Sequence, residues 1–90
     1  MNIYHITHKD VFVTYEAAIV AALDEETARL MYPDARGDDW PVVKREDWRP
    51  VEMLGYLWCS SPDEVTVKLL GVAVEGIEQG VIMALPFSEH

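Results

Sequence analysis

The stretch from Phe12 to Leu23 (FVTYEAAIVAAL) constrains the fold class most strongly, because it fits two kinds of secondary structure. Alternation places Tyr15, Ile19 and Leu23 on one face, which is typical of a β-strand. The alanines favour a helix instead, and Ile19 and Leu23 would then lie on one apolar helical stripe. The choice between these readings depends on the residues that follow.

Asp24 favours a strand that is followed by a helix. Its carboxylate can accept hydrogen bonds from the N–H groups left unpaired at a helix start. Glu25 and Glu26 come next, where the helix dipole favours negative charge. We therefore predict a strand up to Leu23 and a helix from Glu25 through Tyr32, which ends before Pro33 because proline disfavours helix in the residue before it.

Three further segments have strand character. Asn2–His8 mixes β-branched and aromatic residues with polar ones, and Val65–Val74 is largely β-branched. Val81–Leu85 is apolar enough for the centre of a sheet. Ser61–Glu64 (SPDE) indicates one helical turn, with serine as the cap and proline at the first position. The sequence predicts an α+β fold, in which one helix packs on one face of a small, mostly antiparallel sheet, with the order β-β-α-long loop-β-β.

Residues 34–55 form a long excursion between the helix and the second half of the chain. The segment holds prolines, glycines and mixed charges, and it is long for a structureless connection. Trp40 and Trp48 indicate that it packs back onto the body, and a short strand is expected at Met53–Trp58. Ninety residues suffice for one domain, so 1–90 is treated as a single unit that contains this excursion.

The charge of the chain limits its partners. Sixteen Asp and Glu residues against seven Lys and Arg give a formal net charge of −9. Such a chain is repelled by nucleic acid and by anionic membranes, so direct binding to either is disfavoured. The start of the chain lacks a signal-peptide pattern, and the longest apolar run, Ala17–Leu23, is too short to span a bilayer. We expect a soluble cytosolic protein whose acidity serves solubility or attracts a basic protein surface.

Two stretches of the sequence are similar to patterns found in one family of small proteins. YEAAIVAALDEETARLMYP resembles Y-D-S-x-V-V-A-A-x-x-E-x-E-A-R-x-x-H-P, and SSPDEVTVKLLGVAVEGIEQGVIMALPF resembles S-P-x-x-V-x-V-x-x-I-G-x-A followed by G-V-I-x-A-S-F. The matching positions are Tyr15, Val20, Ala21, Ala22, Glu26, Ala28, Arg29, Pro33, Ser61, Pro62, Val65, Val67, Gly71, Ala73, Gly80, Val81, Ile82, Ala84 and Phe87.

The family that carries these patterns consists of small uncharacterised proteins encoded by bacteriophages and prophages. This chain departs from it at Glu16-Ala17, at Tyr32 and at Leu85-Pro86, and residues 34–55 are not matched. The resemblance implies a phage accessory protein that acts in the cytoplasm of a bacterial host. Such genes often encode inhibitors of host machinery, including anti-CRISPR proteins. No activity, cofactor or site residue comes with the resemblance.

Cys59 is the only cysteine, so it cannot form a disulfide within the chain. A nucleophilic cysteine needs its pKa lowered by a cation, a helix start or a histidine. A free cysteine beside Leu57 and Trp58 is more often a small buried hydrophobic residue, and we expect a packing role.

Other candidate chemical groups also have structural explanations. His5 and His8 are three residues apart, so on a strand they point to opposite faces and cannot share a metal ion. The acidic pairs Glu25–Glu26 and Asp63–Glu64 lie at predicted helix starts, where capping and the dipole account for them. No Walker A, G-x-G-x-x-G or G-x-S-x-G motif is present. The sequence therefore predicts no enzyme, no cofactor and no metal.

Binding to another protein is the leading hypothesis. Aromatic residues are enriched at the centres of interfaces, so Trp40 and Trp48 are either core residues or part of a docking surface. Clustered acids could mimic nucleic-acid phosphates and occupy the basic surface of a host protein. The alternative is an assembly protein without a host target, which pairs as a homodimer through an apolar sheet edge such as Val65–Val74. The predicted partner-binding residues are Glu25, Glu26, Trp40, Trp48, Asp63, Glu64, Glu75 and Glu78.

Overall fold

A single antiparallel sheet organises the protein. The computed structural model describes residues 1–10, 13–34, 39–48 and 57–86. The strands are β1 (Asn2–Thr7), β2 (Tyr15–Ala22), β3 (Thr66–Val72) and β4 (Gly80–Pro86), with one helix, α1 (Glu25–Arg29), and two 3₁₀ turns at Arg45–Asp47 and Pro62–Glu64. The strand order is β3-β1-β2-β4, and every neighbouring pair is antiparallel. The expectation that the last strand is central was wrong, because β4 lies at an edge.

The predicted α+β class is also wrong, because the described chain is essentially all-β. Helix α1 has only five residues, and no long helix covers the sheet. The helix stops early because the chain after it becomes extended and pairs with a returning segment. Met31 forms an antiparallel bridge with Val42, the N–H of Tyr32 donates to the carbonyl of Pro41 at 3.0 Å, and that of Val43 to Leu30 at 2.9 Å.

The prediction that the segment before Asp24 forms a strand is confirmed. β2 has the sequence YEAAIVAA and lies between two partner strands. Burial in the sheet therefore outweighs the helix propensity of its alanines, which is a weak preference in any case. Asp24 is the N-cap of α1, as predicted, and its Oδ1 accepts a hydrogen bond from the N–H of Thr27 at 2.7 Å.

Segments with little regular secondary structure, which carry large aromatic rings, cover one face of the sheet. Cross-strand partners such as Tyr4 and Val20, or Ile6 and Ala18, place their side chains on this face. The segments 31–34, 39–48 and 57–65 supply the opposite layer, which includes three buried tryptophans. The described part of the 34–55 excursion therefore packs onto the body as expected. Residues 53–56 of the expected strand at Met53–Trp58 lie outside the described residues, and residues 57 and 58 form a bend.

Candidate functional site

Trp40 and Trp48 lie in the core. Their exposed fractions are 5% and 6%, and both belong to the buried cluster over the sheet. The ring of Trp40 packs on that of Trp58 with centroids 5.0 Å apart, and the ring of Trp48 packs edge-on against Tyr32 at 4.8 Å. The Nε1 of Trp48 donates to the carbonyl of Cys59 at 3.0 Å. Packing accounts for both residues, and neither presents its ring as a docking surface.

Cys59 is fully buried in the same cluster, as the sequence predicted. Its thiol donates to the carbonyl of Ser61 at 3.3 Å. Burial, and then the negative charge of Glu64, raise the pKa of the thiol to about 12. Because the thiolate is the nucleophilic form, we expect Cys59 to react slowly at neutral pH.

The acids at the start of α1 meet the 3₁₀ turn before β3 through Arg45. The Nε and the second guanidinium nitrogen of Arg45 lie 3.0 and 2.9 Å from Oε1 of Glu26. The same guanidinium is paired with Asp63, and these hydrogen bonds raise the pKa of Arg45, that to Asp63 most. The structure therefore brings the Glu25–Glu26 and Asp63–Glu64 pairs together, although a cation neutralises part of their charge.

Arg29 joins the same two elements from the inside. Its guanidinium donates to the carbonyls of Pro62 and Val65, and it is also 3.5 Å from Glu25. Because the side chain is 20% exposed, this contact is better shielded than the Arg45 pairs. It fixes the end of α1 to the start of β3, and the sequence analysis did not assign this role to Arg29.

A shallow cleft of about 380 Å³ lies beside the 3₁₀ turn, lined by Lys9, Asp10, Asp63, Glu64 and Thr66. Local hydrogen bonds already engage two of its carboxylates. The N–H of Ser60 donates to Asp10 at 3.2 Å, and the Ser60 hydroxyl is 3.2 Å from Glu64. These bonds hold the loop in place and account for the polar residues without a catalytic role.

Glu75 and Glu78 lie far along the sheet from the turn that holds Asp63 and Glu64. The turn precedes β3, whereas Glu75 and Glu78 follow it, so the length of that strand separates the two pairs. The loop at 73–79 crosses the end of the sheet at which β1 begins, and the N–H of Ala73 donates to the carbonyl of Met1 at 2.8 Å. The acids among the predicted partner-binding residues therefore do not gather at one end of the sheet.

The second face of the sheet, which we call the open face, is the feature that the sequence analysis missed. Cross-strand partners point to the same side, so the register defines three rows of four residues. The rows are Thr66, Thr7, Ala17 and Leu85; Lys68, His5, Ile19 and Met83; and Gly71, Ile3, Ala21 and Gly80. None of these residues belongs to the aromatic cluster, which lies on the other side of the sheet.

Eight of the twelve described positions on the open face are apolar residues or glycine, and none of the twelve is a carboxylate. His5 and Lys68 are the only ionisable side chains among these twelve. Met83 is 55% exposed. The strand pairing skips three residues at register shifts, Glu16, Leu70 and Ile82, and of these Leu70 and Ile82 are 51% and 52% exposed. An antiparallel sheet with one solvated face normally shows polar residues on that face. Here the polar residues are confined to β1 and β3, and the positions on β2 and β4 are apolar residues or glycine. The sequence signal was β2 itself, which has only apolar residues from Ala17 to Ala22.

The described residues show neither a metal cluster nor a membrane span. In the ranges that the structure describes, no three His, Cys, Asp or Glu side chains are grouped to hold a metal ion. No helix in these ranges is long and apolar enough to cross a bilayer. Comparisons with protein-family models, with curated proteins and with solved structures give no match for this chain. The resemblance to phage proteins therefore stays a prediction.

Proposed function

We propose that this chain is a non-enzymatic protein-binding protein whose binding surface is the open face of the sheet. One observation carries the proposal: although the protein has a net charge of −9, the twelve described positions of this face contain no carboxylate, eight of them are apolar residues or glycine, and Met83 is 55% exposed. Exposed apolar patches of this kind mark interaction sites, and interface centres are depleted of charged residues.

The chemistry of the remaining residues supports a binding role over catalysis. The one cysteine has a pKa of about 12, which leaves too little thiolate for a nucleophile at neutral pH. The carboxylates of Asp24, Glu26 and Asp63 are used in a helix cap and in ion pairs. Each of these groups has a structural task that explains its position.

The setting of the proposal comes from the sequence resemblance. The resemblance suggests a phage accessory protein that acts in the cytoplasm of a bacterial host, without a cofactor. Inhibition of a host defence system, as by an anti-CRISPR protein, is the biological role that this setting suggests. The proposal that the open face binds protein does not depend on this biological role.

Site-specific photo-crosslinking tests the proposal. A benzoylphenylalanine replaces Met83 on the open face in one variant, and in the control variant it replaces Leu23, which is 68% exposed in the turn before α1. After irradiation in bacterial lysate, we expect discrete protein adducts, with itself or with another protein, from position 83 and none from position 23. Equal labelling from both positions, or none from either, would contradict the proposal.

A second candidate surface is the acidic side around Arg45. The observation in its favour is that Arg45 brings Glu26 and Asp63 together beside Glu25 and Glu64. A basic host surface that normally holds nucleic acid would be the partner, and association would then slow as salt rises.

Charge reversal tests this second surface. Glu25→Lys and Glu64→Lys should slow association with a captured basic partner about tenfold at low salt. The matched control is Glu75→Lys, an exposed acid at the other end of β3, which should have little effect. Equal slowing by all three substitutions would indicate net charge alone and remove the case for a localised site.

A further inference from the structure

We infer that His8 is a pH-sensitive switch that fastens part of the layer over the sheet when its ring is neutral and releases it when the ring is protonated. The ring joins residues 8–10, which follow β1, to the start of β2 and to the segment 57–60. It packs against the aromatic layer, so the switch is independent of the open face and of its binding role.

Both ring nitrogens of His8 have a backbone partner. Nε2 lies 2.9 Å from the carbonyl oxygen of Tyr15, and Nδ1 lies 3.0 Å from the backbone nitrogen of Asp10. A carbonyl oxygen only accepts a hydrogen bond and an amide N–H only donates one. The ring proton is therefore on Nε2, and the lone pair of Nδ1 accepts from Asp10. Only the neutral Nε2–H tautomer makes both hydrogen bonds at once.

The partners of His8 also hold the segment 57–60. The ring itself packs edge-on against Trp58, with centroids 4.4 Å apart. The N–H of Tyr15 donates to the carbonyl of Leu57 at 3.1 Å, and the N–H of Ser60 donates to the carboxylate of Asp10 at 3.2 Å. His8 therefore positions the two residues that hold the two ends of this segment.

A second ring proton is incompatible with this arrangement. Both nitrogens of an imidazolium ring are donors, so a proton on Nδ1 would point at the N–H of Asp10 and that amide would lose its acceptor. Histidine is the side chain that ordinarily changes its charge between about pH 5 and 8. The hydrogen bond is present while the ring is neutral and is lost as the ring gains a proton at lower pH. Asp10 then no longer holds Ser60 in place.

The charged groups around the ring act against its hydrogen bonds. The ionisable residues on the elements next to it are Lys9 and Asp10 in its own segment, Tyr15 and Glu16 on β2, Cys59 after Trp58, and Asp63 and Glu64 beside the cleft. The carboxylates outnumber the one lysine and favour positive charge on the ring, whereas the N–H of Asp10 opposes it. Acid thus sets local charge against local hydrogen bonding, and a two-state switch needs such a balance.

NMR of the ring nitrogens in the full-length chain tests the protonation states. At pH 7.5 we expect the proton of His8 on Nε2 and an unprotonated Nδ1. At pH 5 we expect protons on both nitrogens. The opposite tautomer at pH 7.5, or a ring that is still neutral at pH 5, overturns the inference.

Amide hydrogen exchange tests the release of the segment. Relative to the intrinsic exchange rate at each pH, protection of the Asp10 and Ser60 amides should fall about fivefold from pH 7.5 to pH 5, the equivalent of one net hydrogen bond. Carboxyl groups ordinarily ionise near pH 4, so they do not account for a change in this range. Unchanged protection of both amides overturns the inference.

Two glutamine variants assign the change to one histidine. His8→Gln removes the titrating ring, so the protection of the two amides should no longer differ between pH 7.5 and pH 5. His5→Gln is the matched control, because it removes the other histidine of this part of the chain and should retain the fivefold change. An equal change in both variants overturns the role of His8. The two wild-type measurements decide the question if His8→Gln does not fold.

Discussion

The two faces of the sheet are built from the same strands but by different means. On one face, irregular chain packs the rings of Trp40, Trp48 and Trp58 against alternating residues of β1 and β2. On the other face, the strands present Ile3, Ile19 and their neighbours with no described layer above them. The first face is closed by large aromatic side chains, and the twelve described positions of the second contain no carboxylate.

This difference shows that a small sheet can be stabilised from one side and keep the other for binding. Three tryptophans give the covered face a large buried apolar area, so a five-residue helix is sufficient. The buried aromatic core lies on the covered face. We therefore expect substitutions on the open face to affect association, and substitutions on the covered face to affect stability.

Trp58 on the covered face should be the most sensitive position. It is the largest fully buried side chain and contacts both Trp40 and His8. Trp58→Ala should lower the free energy of unfolding by about 4 kcal/mol, because it removes a large buried ring and leaves a cavity. Met83→Ala on the open face is the control and should cost less than about 1 kcal/mol in dilute urea-unfolding experiments. Similar losses for the two variants would contradict a division between the faces.

Cys59 provides a second test of whether water is excluded from the covered face. Cys59→Ser should cost about 2 kcal/mol in unfolding free energy, since a hydroxyl enters an apolar site. The native thiol, with a pKa of about 12, should also react with iodoacetamide at pH 7.5 at least about a hundredfold more slowly than the unfolded chain. Rapid stoichiometric labelling of the native protein would mean that this face is open to solvent.

A matched pair of tryptophans separates hydrogen bonding from packing on the covered face. Trp48 donates its Nε1 hydrogen to Cys59, whereas within the described residues the buried Nε1 of Trp40 has no partner. Trp48→Phe leaves the Cys59 carbonyl without this donor and should cost about 1 kcal/mol more than Trp40→Phe. Chemical denaturation of the two variants measures the difference. A larger loss for Trp40→Phe would show that ring volume, and not the hydrogen bond, dominates.

The N-cap of α1, at the exposed edge of the layer over the sheet, should have the smallest effect on stability. Asp24→Ala removes the cap of a five-residue helix and should lower the thermal midpoint by about 4 °C. The hydrogen bonds from Thr27 lower the pKa of Asp24 below its ordinary value of 3.8. The cap is therefore fully present above about pH 4 and is lost as the pH falls through the lowered pKa. The midpoints of the wild type and the variant should converge as the pH falls below the lowered pKa, and a difference that stays constant with falling pH would contradict this account.

Local signals in the sequence predicted the elements better than their assembly. The cap at Asp24, the turn at Ser61–Glu64 and the strand character of β2 follow from residues that are near one another in the chain. The end of α1 was misplaced because it depends on pairing of Met31 with Val42, a contact that no local pattern announces. The fold class was predicted wrongly for the same reason, because this contact ends the helix that was expected to cover the sheet.

The candidate surfaces were harder to predict because they depend on register. Trp40 and Trp48 fit a core or an interface equally well until the layer over the sheet is known. The open face requires that Lys68, His5, Ile19 and Met83 form one row, and three register shifts interrupt the pairing of these strands. Alternation within β2 gave a partial signal, since its outward positions Ala17, Ile19 and Ala21 are as apolar as its inward ones.

The strand order also has a kinetic consequence. β3 and β4 are consecutive in the chain but lie at opposite edges, so each depends on the β1–β2 hairpin as its template. That hairpin is local in sequence, whereas β3 must close a long loop before it can pair with β1. We expect the hairpin to form first and its amides to show the slowest hydrogen exchange. The two edge strands, joined by the loop at 73–79, should then add late and be lost first.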